Sequence, residues 1–234
     1  MPTMTTGRKI DSHGNPVDGT GFAYESDRRL AELLAQRISP LFSQPVTGEW
    51  VFGLVSSQQS GGKFERGVGI FTPGNKGPAE HFHPKYDEHF DIADGEFIFT
   101  IGGQEQHAHA GEKLVVTKNV PHTFRCVGNA FGVVIVETQP AARIGEVIST
   151  LFGMAHEGLL SPQGQPKFLQ AMVIGGEYPD DTVFTNPPPN IAIPLAKALA
   201  PIGRLFGYRP TYAKYADEAY WAAHVEQPDK NKSI

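Results

Sequence analysis

The chain has a single cysteine, Cys126, among its 234 residues. One thiol excludes an intramolecular disulfide and any zinc site built from several cysteines, and it fits a reducing compartment such as the cytoplasm. Positive charge is also scarce: 20 Lys and Arg stand against 25 Asp and Glu, a net charge of −5. That balance argues against nucleic acid as the main partner. No apolar run reaches the roughly 18 residues of a membrane span. The opening segment MPTMTTGRKIDSHGNPVDG lacks the apolar stretch of a secretory signal. A cytoplasmic location is the expectation.

Glycine and proline, by contrast, are abundant. The 26 Gly and 19 Pro make up about a fifth of the chain, against a usual share of about 12%. This is too much for a helical bundle and too little for a collagen-like or disordered polymer, while 40% apolar residues suffice for a proper core. From Glu49 to about Gln139 the short runs WVFGLVSS, GVGIFT, EHFDI, EFIFTI, KLVVT, HTFRCV and FGVVIVET are β-branched and aromatic. Turns such as Asp94-Gly95 and Gly102-Gly103 punctuate them. The pattern predicts a mainly β fold, an antiparallel barrel or jelly roll.

The flanks read differently. Residues 1–22 are polar and Gly-rich, an arm or loose strand. Leu30, Leu33, Leu34 and Ile38 recur at helical spacing, predicting a helix over 27–38 capped by Ser26 or Asp27 and stopped by Pro40. After Pro140, helical periodicity returns at Ile144, Val147, Ile148, Leu151 and Phe152, again over 166–173, and from Ile191 to Phe206. The predicted organisation is an N-terminal arm and helix (1–48), a barrel (49–139) and a helical extension (140–234) packed on the barrel or on a dimer partner, with a homodimer as the expected assembly.

The chemistry concentrates in four residues. His81 and His83, two apart on an extended chain, face the same way. Glu88 follows five residues later, and His122 opens a further strand behind Val120-Pro121. A lone pair of histidines at this spacing is most often surface or packing. Three imidazoles and a carboxylate together form a borderline-to-hard donor set, suited to Fe, Ni, Mn, Zn or Cu rather than Ca or Mg.

The spacing adds specificity. His81-Phe82-His83, four residues, Glu88, six residues and Gly95 resemble the first cupin motif. Gly111-Glu112-Lys113, Val115-Val116 and Val120-Pro121-His122-Thr123-Phe124 resemble the second, and the resemblance spans about 64–139. It implies a cupin double-stranded β-helix holding one divalent transition metal per chain near its mouth, on His81, His83, Glu88 and His122. The sequence departs from the family at Asn75, Thr117, Asn119 and Cys126, none of them a ligand position. Single-domain cupins with this ligand set include quercetinase-like dioxygenases. The function implied is dioxygenation of a small aromatic or enolisable substrate in the barrel cavity, with Glu88 as the catalytic proton acceptor. A non-catalytic cupin that binds a small molecule or a metal is the alternative, as is an O2-independent metal-assisted isomerase, cyclase or lyase.

Other residues carry less. His107 and His109 repeat the histidine spacing with no carboxylate to match, and His89 faces away from Glu88. Cys126 is in phase with His122 and Phe124 and reads as a buried, inert thiol. Glu80, Tyr86 and Asp87 border the ligands and are candidates for supporting or acid–base roles. Residues 187–215 contain Lys197, Arg204, Arg209 and Lys214, no acidic residue, and many apolar ones. The favoured reading is a helix packed on the barrel or a dimer partner, interrupted by Pro194 and Pro201, which could also roof the barrel mouth. The less favoured one is contact with an anionic membrane surface.

Overall fold

The structure, a computed structural model, describes residues 2–26 and 28–229. A small hairpin of β1 (Thr3–Thr6) and β2 (Phe22–Glu25) leads into helix α1 (Arg29–Ala35). Two antiparallel sheets follow. One runs β10 (Lys113–Val116), β7 (Asp87–Asp94), β12 (Gly132–Gln139), β5 (Glu65–Phe71), β4 (Glu49–Val55) and β3 (Phe42–Gln44). The other runs β13 (Val183–Phe184), β6 (His81–Phe82), β11 (His122–Val127), β8 (Glu96–Ile101) and β9 (Gln104–His109). The helices are α2 (Ser57–Ser60), α3 (Ile144–His156), α4 (Phe168–Glu177), α5 (Pro189–Leu205) and α6 (Glu218–His224), with a one-turn 3-10 helix at Ala213–Ala216. The mainly β expectation, with helices on both flanks, holds.

Strand alternation divides the core in two. Along β12, Val133 and Ile135 join an outer layer with Phe22, Leu34, Trp50, Phe52, Phe152 and Trp221, whereas Val134 points between the sheets. Phe90 and Ile92 of β7, Phe97 and Phe99 of β8, and Phe124 and Cys126 of β11 fill that inner space. A period of two is what a strand buried on both faces imposes on its side chains. It places Glu88 above Phe90 and His122 above Phe124, so the polar residues sit at one end of an aromatic plug.

Three expectations need correction. Helix α1 ends at Ala35, short of Ile38. The Ile38 N–H is drawn to the Gly53 carbonyl of β4 (2.9 Å), and the buried Arg37 guanidinium donates to the Leu34 carbonyl (2.8 Å), which closes the last turn. Its N-cap is Arg28, without a side-chain cap bond; Asp27 lies outside the described residues. Helix α5 runs unbroken through Pro194 and Pro201, both on its exposed side. Its buried face is small (Ala196, Ala200, Gly203) and packs on α4, where a Cβ added to Gly176 would meet that of Ala200 at 2.7 Å. The helix therefore seats on α4, and the segment of the extension that reaches the barrel is 181–184, which pairs with β6.

Helix α3 is tied to β3 by a hydrogen bond between Ser43 Oγ and His156 Nε2 (2.8 Å). Burial, and next the His224 ring, push the His156 pKa down to about 4. An unfolded chain binds this proton at about pH 6.5, so its contribution to stability is complete above that pH and is lost as pH falls towards 4. The expected loss is up to roughly 2 kcal/mol, discounted for solvent at the ring edge. His156→Gln should flatten that part of the profile in urea titrations between these pH values. Equal acid loss in both proteins would remove His156 as the cause.

Candidate metal centre

Both sheets contribute to the site. Cross-strand pairing of His81 with His122 brings their rings to 4.4 Å between centroids. His83, just beyond β6, lies 4.9 Å from His81 and 5.2 Å from His122. Glu88 reaches across from β7 in the opposite sheet, where it pairs with Val116 and Thr138. One ligand atom from each of the four residues falls within 4.8 Å of all the others. All three rings are buried, His122 completely.

The rings are oriented by the backbone. Nδ1 of His81, His83 and His122 lies 2.8, 3.0 and 3.0 Å from the carbonyl oxygens of Ala79, Asp181 and Val120. A carbonyl only accepts, so each Nδ1 carries the proton and donates, and in a neutral ring Nε2 is left as a bare lone pair. Those lone pairs converge on Glu88, whose Oε2 is 3.2 Å from His83 Nε2 and 2.9 Å from His122 Nε2. Lone pair facing carboxylate is repulsive unless a cation lies between them. The donor set is therefore compatible with a single metal ion, and the carbonyl bonds are the support that metal-binding histidines characteristically have.

With a proton in place of the metal, the two Nε2 atoms nearest Glu88 would instead donate to it. Burial alone would raise the Glu88 pKa, but hydrogen bonds from His122 and His83 outweigh it and hold the carboxyl at about 2. Burial, then the neighbouring His122, press His81 down to about 4. Burial also acts to lower His83, yet its bond to Glu88 prevails and the net shift is upward. At neutral pH the site thus offers an ionised carboxylate and an unprotonated His81.

The bordering residues separate into different roles. Tyr86 stacks on His83 with centroids 4.3 Å apart, and burial raises its phenol pKa. The Asp87 carboxylate is turned away and accepts the Lys118 N–H at 2.8 Å, while Glu80 accepts from the Thr185 hydroxyl at 2.8 Å. His107 and His109 lie on the edge strand β9, far from the cluster in register, and both are exposed. His89 points outward, as alternation requires. Cys126 is buried, and that burial raises its pKa.

The sequence reading missed the segment 181–184. Asp181 supplies the carbonyl that orients His83, Val183 and Phe184 pair with Phe82 and His81, and the Phe184 ring lies 6.0 Å from His81. Asp181 Oδ2 is buried without a hydrogen-bond partner among the described residues, and the Tyr86 and Thr182 hydroxyls are buried beside one another. No motif marks this segment, nearly 100 residues beyond His83; only folding brings it there.

Comparison with known proteins bears on the same region. Residues 67–138 match the family model described as Cupin domain. This region is a cupin domain. It runs from inside β5 into β12 and carries all four candidate ligands, whereas 181–184 lies outside it. Solved structures similar to the chain include KdgF from Halomonas sp., at 16% identity and a TM-score of 0.38, covering 42% of this chain and 84% of that one. An RmlC-like cupin from Shewanella frigidimarina is similar at 19% identity and a TM-score of 0.40, with 46% and 89% covered. No curated protein matches the chain.

Proposed function

We propose that the cupin domain binds one divalent transition metal through His81, His83, Glu88 and His122, and that the protein is a dioxygenase acting on a small aromatic or enolisable molecule. The observation that carries this reading is the convergence of one ligand atom from each of three histidines and one carboxylate within 4.8 Å, with every Nδ1 within hydrogen-bond distance of a backbone carbonyl. When bound, the metal would supply Lewis acidity and open positions for a substrate oxygen and dioxygen.

The residues around it supply the rest. Glu88, the one carboxylate of the cluster and ionised at neutral pH, is the group placed to take the proton that an enol or catechol gives up on binding, its strength as a base limited while His122 and His83 hold it. Tyr86, Thr182 and Asp181 present buried polar atoms near the cluster, suited to orienting polar groups of a substrate. Phe184 and Phe90, 6.0 Å from His81 and 6.2 Å from His122, are apolar neighbours of the cluster.

The test is oxygen uptake by metal-loaded protein with flavonols, catechols and 1,3-diketones. The expected result is one O2 consumed per substrate lost for at least one class, and no uptake by Glu88→Gln. A filled site with no uptake across the panel would overturn the dioxygenase reading, and would favour O2-independent chemistry or simple binding.

A further inference from the structure

Helix α5 turns its small residues to α4 and its large ones to solvent. Ile191, Leu195, Ala198, Ile202 and Leu205 recur at steps of four and three, which is one face of a helix. In the structure that face is bare: Ile191 is 58% exposed and Leu205 88%, and Phe206 beyond the helix end is 73% exposed. The hairpin is antiparallel, with Gly203 beside the Leu169 carbonyl, so Phe168, 59% exposed at the start of α4, joins Leu205 and Phe206 at the same tip. An apolar run of this size left outside the core calls for a partner.

Charge identifies the partner. The protein carries a net charge of −5, yet residues 158–176 and 186–216 contain Lys167, Lys197, Arg204, Arg209 and Lys214 and no acidic residue. Arg204 is ion-paired with Glu177 and Lys214 with Glu157, both at 2.7 Å. Lys167, Lys197 and Arg209 have no carboxylate partner among the described residues. Two of them flank the apolar tip, and Lys197 lies along the side of the stripe. On a second copy seated there, Glu177 and Glu157 would again be paired with Arg204 and Lys214 rather than with these three cations. An anionic surface neutralises them.

We propose that the apolar face and basic rim of the α4–α5 hairpin seat the protein on an anionic lipid surface, with Leu205, Phe206 and Phe168 entering the acyl boundary and Lys167, Lys197 and Arg209 meeting the headgroups. No helix among the described residues is long and apolar enough to cross a membrane, so contact is made in the interfacial plane.

Co-sedimentation of the full chain with vesicles of phosphatidylcholine, alone or mixed with phosphatidylglycerol, tests this. Binding is expected only to the mixed vesicles. Leu205→Ser with Phe206→Ser should weaken it at least about tenfold. Both side chains are exposed, so thermal unfolding should be unchanged. Lys197→Glu and Arg209→Glu should each weaken it about fivefold or more. Failure to bind the mixed vesicles overturns the proposal, as does binding that these substitutions leave untouched. A dimer in sedimentation velocity that the Leu205→Ser and Phe206→Ser pair dissolves, without vesicle binding, overturns it as well and assigns the face to a second copy.

Discussion

Replacing His83 by alanine is expected to lower bound metal from about one equivalent per chain to below about a tenth, with the barrel still folded. Loss of a hydrogen bond that merely supports a ligand already costs about 10–100-fold in metal affinity, and here a donor itself is removed. His83 is also the ring that the Asp181 carbonyl orients at 3.0 Å and that Tyr86 stacks on, so nothing else in the site can supply its Nε2. Folding should survive because the inner core, from Phe90 and Phe99 to Phe124, lies beneath the site and does not depend on it. With the metal lost, a proton on His122 Nε2, 2.9 Å from Glu88, would still give that carboxylate a partner. Metal analysis of protein purified in parallel with wild type, together with circular dichroism, checks both halves. A variant that keeps the metal removes His83 from the ligand set; one that unfolds makes the site a structural element of the barrel.

The parts of this site that were legible in the sequence share one property: their geometry is local to a strand. Glu88, Phe90 and Ile92 alternate, as do His122, Phe124 and Cys126, and a period of two is readable without knowing what lies opposite. The hairpin turn at Gly102-Gly103 was legible for the same reason. Strand β9 follows it, but only Ala108 of its six residues is buried, so no apolar alternation marked its extent. Strands β6 and β13, two residues each, exist only because they pair with each other and with β11. Asp181 is part of the site through a carbonyl, which no side-chain pattern can reveal. The two prolines in α5 pointed to a break, since an interior proline costs about 3 kcal/mol. The close packing of Ala196, Ala200 and Gly203 on α4 offsets that cost, and it lies in the contact between two helices rather than in the pattern of one.

Gly77→Ala is expected to destabilise the protein by more than about 4 kcal/mol, at the exceptional end for a single substitution. Gly77 sits in a strap, residues 75–78, that crosses the strand carrying His122. Asn75 builds the strap: its Oδ1 accepts the Gly77 N–H at 2.7 Å, its Nδ2 donates to the Thr47 carbonyl at 2.8 Å, and its carbonyl accepts the Cys126 N–H at 2.9 Å. The Thr123 hydroxyl donates to the Pro78 carbonyl at 2.6 Å, fastening the other end. A Cβ on Gly77 would lie 1.9 Å from the Phe124 carbonyl oxygen. No rotamer relieves a clash with backbone, so either the strap lifts or β11 moves, and both break this bonding. The left-handed conformation, φ 63°, adds about 1–2 kcal/mol for any residue with a side chain. Gly74→Ala isolates that second contribution, since Gly74 has φ 75° and nothing within 4 Å of an added Cβ. It should cost about 1–2 kcal/mol and leave metal content unchanged. Total stability of an ordinary domain is about 5–15 kcal/mol, so Gly77→Ala should be largely unfolded in mild urea and poor in metal, while Gly74→Ala resembles wild type. Similar urea midpoints for the two variants would mean that the strap does not press on β11, and that His122 is held in place by sheet pairing alone.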